Sequence, residues 1–198
     1  MHALIVVSHP ERRSLTHGVA AAIAEGIAES GPEHSVEIAD ITREGFNPVF
    51  STADYAAFQL TRERPSDVIA EQARIDKADA LVLVFPVYWW SMPGIMKGWI
   101  DRVFTNGWAY EDKGEGKVEK KLSRLPVHLI GLGGAGKRTY EKHGYSAAIN
   151  AQINHGIFDY CGAPVVTSEM LLLPDLETSE ACLEVAQGIG RRIFTAKG

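Results

Sequence analysis

Residues 85–104 have the sequence FPVYWWSMPGIMKGWIDRVF, and the rest of the chain is interpreted from this stretch. It follows an apolar run at 80–84, whose length and branched side chains are typical of a strand buried on both faces. Pro93 suits the first turn of a helix, because its φ angle is fixed and its missing N–H is not needed there. The stretch therefore predicts a strand, an aromatic loop and a helix. Loops of this kind bind ligands in open α/β sheets, and adjacent aromatic side chains would face a planar ring.

The same stretch resembles the signature of the flavodoxin-like NAD(P)H:quinone oxidoreductases, the family that includes DT-diaphorase. In that family an aromatic loop is followed by Pro-Gly or Pro-Ala, then Lys-Gly-Trp, then Asp/Glu-Arg-Val-Phe. The similarity extends upstream to DVIAEQ at 67–72 and downstream to WAY at 108–110. Taken alone, residues 85–104 are also compatible with a core segment followed by an ordinary amphipathic helix, so the length of the match carries the assignment.

The composition fits one soluble domain spanning residues 1–198. Apolar residues make up 45% of the chain and charged residues 23%, which allows a substantial core. The net charge of -5, without a basic cluster, argues against a nucleic-acid partner. Cys161 and Cys182 are too few for a disulfide framework, so reduced thiols in a cytoplasmic protein are expected.

Targeting and metal-binding patterns are not apparent in the sequence. Residues 1–8 lack the features of a signal peptide, and no stretch approaches the roughly 20 apolar residues of a membrane span. The seven histidines are scattered and form no His-Glu-x-x-His pattern. We therefore expect a cytoplasmic protein with no membrane span and no metal site.

Apolar runs alternate with segments of helical periodicity along the chain. The runs predict five strands at 3–8, 35–41, 80–85, 127–132 and 163–173. This alternation predicts an α/β fold with a five-stranded parallel sheet and helices on both faces, in the flavodoxin-like order 2-1-3-4-5. Residues 42–65 have no regular pattern. They form either a surface arm or, as the resemblance favours, a cover over the active site of a second subunit in a homodimer.

The loop after the first predicted strand carries a candidate anion site. Ser14 is positioned to cap a helix, whose first N–H groups would cradle a phosphate, although an ordinary capped surface helix explains the same residues. The resemblance implies that His9, Ser14, Leu15 and Thr16 hold the phosphate end of a flavin, which is FAD, with FMN as the alternative. Leu15 and Thr16 depart from the Ser-Phe-Asn of the family.

The run GLGGAG at 131–136 satisfies the pattern Gly-x-Gly-x-x-Gly of dinucleotide-binding proteins. The polar sequence that follows it does not suit that assignment, which needs an apolar helix and a later acidic residue. The resemblance implies instead that the glycines border the flavin and that a nearby tyrosine and histidine act in catalysis. These residues are Gly131, Gly133 and Gly134, with Tyr140 and His143 as the catalytic pair.

The resemblance assigns the remaining flavin contacts to the aromatic loop and one helix residue. These are Pro86, Val87, Tyr88, Trp89, Trp90 and Gln72. It implies an enzyme that takes a hydride from NADH or NADPH onto the flavin and passes two electrons to a quinone or similar aromatic in ping-pong fashion. The alternative is a flavin-bound regulatory or electron-transfer subunit, akin to flavodoxins or to ancillary subunits of potassium efflux systems, with little turnover.

Overall fold

The computed structural model describes residues 1–176 and 178–195, and a parallel sheet lies at its centre. The strands are β1 (His2–Val7), β2 (Ser35–Asp40), β3 (Ala80–Pro86), β4 (Tyr110–Asp112), β5 (Val118–Lys120), β6 (Val127–Gly133) and β7 (Val165–Leu172). Five of them form the sheet in the order β2-β1-β3-β6-β7, all parallel, while β4 and β5 form a separate antiparallel pair. Counted without that pair, this is the 2-1-3-4-5 order that the sequence predicts, and the prediction is confirmed.

Helices cover both faces of the sheet. They are α1 (Leu15–Ser30), α2 (Thr52–Phe58), α3 (Ser66–Asp76), α4 (Gly94–Val103), α5 (Lys137–His143), α6 (Tyr145–Ile149) and α7 (Ser179–Arg192), with a π-helix at Asn150–Asp159 and a 3₁₀ turn at Leu173–Asp175. Apolar residues of α1 and α7 pack on one face, and those of α3, α4 and the π-helix pack on the other. The strands β1, β3 and β6 are therefore buried on both faces, as their apolar sequences indicate.

Three regions that the sequence predicts to be irregular contain regular structure. Helix α2 lies within 42–65 and begins with a reciprocal capping box between Ser51 and Asp54. Helix α5 occupies residues 137–143, the polar sequence that follows the glycine run, and ends at Gly144, whose φ is 72°. The charged, glycine-containing segment at 111–121 has the sequence of an exposed loop, but β4 and β5 form a hairpin there. These elements are short, so apolar periodicity does not reveal them.

The arm between β2 and α3, residues 42–65, is attached to α4 through Arg102. Its guanidinium donates to Asp54 Oδ1 at 3.0 Å, to Asp67 Oδ2 at 2.6 Å and to the Asn47 carbonyl at 2.8 Å. The same group lies 5.1 Å from the centroid of the Phe46 ring. The arm is therefore fixed to the helix that follows the aromatic loop. Its contact with a second subunit remains a prediction.

Candidate functional site

The aromatic loop after β3 contains a tight turn in an unusual conformation. Tyr88 and Ser91 exchange two backbone hydrogen bonds, of 3.0 and 3.1 Å. The two residues between them, Trp89 and Trp90, have φ angles of 49° and 62°. Turns with two such residues are usually formed by Asn-Gly, because a Cβ in this region costs about 1–2 kcal/mol per residue. Strain of this kind concentrates at functional sites.

The two tryptophans of the turn have different environments. Trp90 stacks on Tyr145 with ring centroids 3.7 Å apart and planes 11° apart, and it meets the edge of Tyr140 at 5.4 Å. Trp89 is 92% exposed. The turn thus presents one fixed indole and one free indole on the rim of the sheet. Tyr145 was not evident from the sequence, because its importance lies in its contact with Trp90.

A first cavity of about 260 Å³ lies between the aromatic loop and the segment after β6. It is lined by Val87, Trp89, Trp90, Gly134, Ala135 and Tyr140. A Cβ atom on Gly134 would meet nothing within 4 Å, so a flat ring can approach the backbone there closely. A Cβ on Gly133 would lie 2.7 Å from the Tyr140 hydroxyl oxygen, so Gly133 makes room for that side chain.

Tyr140 and His143, the predicted catalytic pair, are held differently. Tyr140 is 2% exposed, and burial raises the pKa of its hydroxyl, which therefore remains a hydrogen-bond donor at neutral pH. His143 is exposed and stacks on Tyr145, with ring centroids 5.4 Å apart. Tyr140 lines the first cavity, whereas His143 lies outside its lining.

A second cavity of about 300 Å³ joins the aromatic loop to the loop after β1. Its lining residues are Ser8, His9, Pro10, Thr42, Pro86, Tyr88, Pro93, Gly94 and Ile95. The hydroxyl oxygens of Ser8 and Thr42 are buried and have no hydrogen-bond partner among the residues that the structure describes. An unpaired buried hydroxyl costs about 1–3 kcal/mol, so both are suited to a polar ligand.

Ser8 and Thr42 are candidate site residues that were not among those predicted from the sequence. Each stands just past the carboxyl end of a strand, Ser8 after β1 and Thr42 two residues after β2. That position was a usable signal, because the carboxyl ends of parallel strands share one edge of the sheet. The absence of a partner for each hydroxyl could be seen only in three dimensions.

The start of α1 follows the predicted capping pattern. The Ser14 hydroxyl accepts a hydrogen bond of 3.3 Å from the His17 N–H, which confirms Ser14 as the cap. Leu15 packs against the core on the α1 side, and Thr16 is buried. The first N–H groups of a helix have no partner within it and carry the positive end of its dipole. The first turn can therefore receive an anion through its backbone.

Two predicted flavin contacts lie elsewhere in the fold. The buried Gln72 side chain donates to the Val103 carbonyl at 2.7 Å and to the Thr105 hydroxyl at 3.0 Å, so it joins α3 to the end of α4. Gly131 lies inside β6, where a Cβ would be 2.6 Å from the sulfur of Met170. The structure therefore explains both residues by packing, and neither lines the two cavities.

The three predicted loops meet at one edge of the sheet. The aromatic loop borders both cavities, the loop after β1 borders the second and the segment after β6 borders the first. The site therefore combines a slot between an indole and a glycine backbone with a compartment that holds unpaired hydroxyls. Among the described residues, the linings of the two cavities hold polar groups but no cluster of charged side chains, which suits a planar heterocycle with a polar tail better than a bare ion.

Other features bear on the remaining expectations. Within 1–176 and 178–195, no three His, Cys, Asp or Glu side chains are grouped so that they could hold a metal ion. Over the same residues, no helix has the length and apolar character needed to cross a membrane. Cys161 and Cys182 are buried free thiols, and burial raises the pKa of Cys161 to about 11.

A third cavity, of about 470 Å³, lies between the arm, α4 and the π-helix. Its walls include four aromatic side chains that are each nearly half exposed or more. These are Phe50 at 46%, Tyr55 at 53%, Phe58 at 46% and Tyr160 at 44%. An exposed apolar surface of this kind marks a candidate contact with another protein chain.

Comparisons with known proteins give a consistent result. A family model described as "Flavodoxin-like fold" matches residues 1–187. The chain is 29% identical to rat NAD(P)H dehydrogenase [quinone] 1, over 98% of this chain and 76% of the relative. It is 34% identical to a ribosyldihydronicotinamide dehydrogenase-like protein of Penicillium crustosum, over 84% and 71% respectively. Among solved structures, an NAD(P)H:quinone oxidoreductase from Methanothermobacter marburgensis superposes with a TM-score of 0.86 at 28% identity, covering 96% of this chain and 98% of that one.

Proposed function

Because the chain belongs to the Flavodoxin_2 family of flavodoxin-like proteins, whose relatives include NAD(P)H dehydrogenases, we propose that it is a flavin-dependent NAD(P)H:quinone oxidoreductase. One observation supports this most directly. The aromatic turn borders two compartments, of which one suits a flat ring and the other contains buried hydroxyls that have no partner among the described residues. A flavin has a planar isoalloxazine, which suits the first compartment, and a polar tail of a hydroxylated chain and a phosphate, which suits the second.

The proposal assigns each part of the flavin to residues of the site. The ring lies against the indoles of Trp89 and Trp90, with backbone contacts from Pro86, Val87 and Tyr88 and from the glycines at 133–134. The polar tail extends towards Ser8, His9 and Thr42, and its phosphate meets the first turn of α1 at 14–16. When bound, the flavin would take a hydride from NADH or NADPH and give two electrons to a quinone or a similar electron-poor aromatic in a ping-pong cycle.

The protein's own groups position the ring and offset charge. The Tyr140 side chain lines the first cavity, and its hydroxyl, whose pKa is raised by burial, would donate a hydrogen bond to the ring. Backbone N–H groups beside Gly134 would stabilise negative charge at the edge of a bound ring. His143 lies further out on the rim, where it is available for proton exchange with solvent or substrate. Trp90, fixed by Tyr145, excludes water from one wall.

The third cavity supports the further proposal that the protein forms a homodimer. Its exposed aromatic side chains come from the arm and from the end of the π-helix, and they surround the same cavity beside α4. Covering them with a second copy would remove apolar surface from water.

The test of the proposed function starts from purified protein. We expect flavin to copurify or to bind on addition, and denaturation should release it for identification as FAD or FMN. The loaded protein should oxidise NADH or NADPH with a soluble quinone over many turnovers. Tyr140→Phe and His143→Gln should each slow flavin reduction by about 10²-fold or less while flavin stays bound, because they affect only charge in the transition state.

Two results would count against this function. Flavin-loaded protein without quinone turnover would favour a regulatory or electron-transfer subunit, and protein that refuses flavin would exclude both alternatives. His155→Gln is the matched control for His143→Gln, since the His155 side chain is 77% exposed on the π-helix. That control should reduce its flavin at the wild-type rate.

The strained turn gives a further prediction. Trp89→Asn should leave the free energy of unfolding unchanged or raise it by up to about 1 kcal/mol, because asparagine tolerates a positive φ. The same change should weaken flavin binding about tenfold, since stacking of a heterocycle on an aromatic side chain contributes about 1–3 kcal/mol. Urea unfolding of flavin-free protein and flavin fluorescence measure the two effects.

Glu115 provides the control for Trp89. It also has a positive φ, of 54°, but lies in the turn between β4 and β5. Glu115→Asn should relieve similar strain without altering flavin affinity. If Trp89→Asn binds flavin as tightly as the wild type, the free indole is not part of the flavin site.

A further inference from the structure

The imidazole of His17 is bonded at both ring nitrogens, beside the proposed phosphate site. Its Nδ1 lies 2.9 Å from the Ser14 hydroxyl oxygen, and its Nε2 lies 2.9 Å from Asp40 Oδ2. Only 19% of the His17 side chain and 17% of the Asp40 side chain are exposed. The three residues come from the cap of α1, its first turn and the last position of β2, so the fold itself holds this chain of bonds together.

The bond to Asp40 determines which nitrogen of His17 carries a proton. An ionised carboxylate only accepts hydrogen bonds, so Nε2 must be protonated. In neutral His17, Nδ1 is then an acceptor, and the Ser14 hydroxyl proton is directed towards the ring. In cationic His17, Nδ1 is a donor to Ser14, whose oxygen also accepts from the His17 N–H. The Ser14 proton is then free to point towards an anion.

The local charges favour the cationic form when a phosphate is present. Asp40 Oδ1 accepts a bond of 3.1 Å from the Arg43 N–H, so this carboxylate is fixed close to the first turn of α1. A phosphate bound there would be repelled by Asp40 unless a proton on His17 offset it. His9 is a further titratable group near the ring, with its centroid 6.3 Å from that of His17. Among the described residues, Asp40 is therefore the charged side chain that bonds directly to His17.

An independent observation indicates a ligand at this edge. The Ser8 hydroxyl is fully buried, has no partner in the described chain and lines the second cavity together with His9. The ligand that would reach from that cavity to Ser14 is the tail of the flavin, so the inference rests on the proposed function.

We propose that His17 and Asp40 are positioning residues that couple binding of the flavin phosphate to uptake of one proton by His17. Neither residue lines the first cavity, where the ring would lie. They act by turning the Ser14 hydroxyl outward as a donor and by cancelling the charge of Asp40 when the anion binds.

The test measures flavin dissociation from loaded protein between pH 7 and pH 9, where a phosphate monoester is already doubly ionised. Flavin-loaded protein is diluted in series, and released flavin is measured by its fluorescence. We expect the Kd for FMN or FAD to rise with pH over this range by up to about tenfold per pH unit, the limit set by linkage to one proton. Riboflavin lacks the phosphate, so its binding should not be linked to proton uptake by His17. Its Kd should therefore change less than about twofold over this pH range.

Two variants separate this coupling from a structural role. His17→Gln should remove the pH dependence and weaken binding at pH 7. Asp40→Asn should also remove it but keep tight binding at pH 9, because an asparagine amide donates to Nε2 and allows neutral His17 to donate from Nδ1 to Ser14. His34 is a matched control at the other end of α1, where it is bonded to Ser30 and Glu33. His34→Gln should keep the wild-type slope.

The outcomes distinguish this inference from the function on which it rests. A wild-type Kd that is constant from pH 7 to pH 9, or an Asp40→Asn variant that keeps the full slope, would overturn the coupling while leaving a flavoprotein. Failure of wild-type protein to bind any of the three flavins would instead overturn the proposed function.

Discussion

Replacing Arg102 by methionine is expected to lower the free energy of unfolding by about 3–5 kcal/mol, the cost of removing one partner from a buried ion pair. Arg102 is 4% exposed and Asp54 is 2% exposed, so the substitution would leave the Asp54 carboxylate buried without its cation. The same change would release Asp67, whose pKa the hydrogen bond from Arg102 holds below its usual value. Methionine preserves most of the side-chain volume. The loss of unfolding free energy would therefore come from the lost charge pairing rather than from a cavity.

Urea unfolding at pH 7.5 measures this loss, with Lys97→Met as the matched control. Lys97 pairs with Asp101 on the same helix, but both side chains are more than 40% exposed, so the control should cost less than about 1 kcal/mol. Adding Asp54→Leu to Arg102→Met should recover part of the stability, because the uncompensated charge is then gone. A loss for Arg102→Met no larger than that of Lys97→Met would contradict this account.

The effect should reach the proposed site through α4. Gly98 on that helix is so close to the arm that a Cβ atom would lie 2.3 Å from the Pro48 carbonyl oxygen. Arg102 and Gly98 together hold the arm in contact with α4. The first residues of α4 line the second cavity. Loosening the arm should therefore weaken the binding of the flavin tail as well as the fold.

The parts of the fold that sequence reasoning predicts are those fixed by long apolar runs. Strands β1, β3 and β6 are buried on both faces, and apolar positions at helical spacing mark α1 and α7. The alternation of these elements leaves few topologies once crossovers must be right-handed. The observed sheet order follows from that restriction.

The missed elements are stabilised by other means. Helix α2 depends on the capping box of Ser51 and Asp54 and on the ion pair to Arg102, and the partner residues are 48 positions apart. The hairpin of β4 and β5 turns at Gly114 and Gly116, which have φ angles of 76° and 73°. These glycines could have predicted the turn of the hairpin from sequence alone. The contact of Arg102 with Asp54 could not have been predicted in this way.

The candidate site shows the same division. Convergence of the loops after β1, β3 and β6 follows from parallel strands, because their carboxyl ends share one edge. The assignment of Gln72 to the flavin came from the resemblance alone, and its amide is instead bonded to Val103 and Thr105. Whether a hydroxyl is unpaired, as for Ser8 and Thr42, depends on neighbours that are distant in the chain. It cannot be predicted from the local sequence.

The second large effect concerns pH. His128, the second residue of β6, is 1% exposed, and the only side-chain hydrogen bond it makes among the described residues joins Nδ1 to the Thr167 hydroxyl at 2.9 Å. Burial lowers the pKa of His128 to about 4 from an ordinary value of 6.5. In the unfolded chain, His128 therefore binds a proton below about pH 6.5. In the folded protein, it binds that proton only below about pH 4. This group should cost the fold about 3 kcal/mol as the pH falls through that window.

The variant His128→Leu isolates this contribution from the carboxylates that titrate over the same range. Urea unfolding of flavin-free protein at several pH values between 7.5 and 4 gives the difference in unfolding free energy between wild type and variant. That difference should move by about 3 kcal/mol in favour of leucine on acidification, whatever its value at pH 7.5. His155→Gln, at an exposed position, should track the wild type throughout. A difference between wild type and His128→Leu that stays constant with pH would mean that His128 is protonated within the fold, with water or a rearranged Thr167 satisfying Nε2.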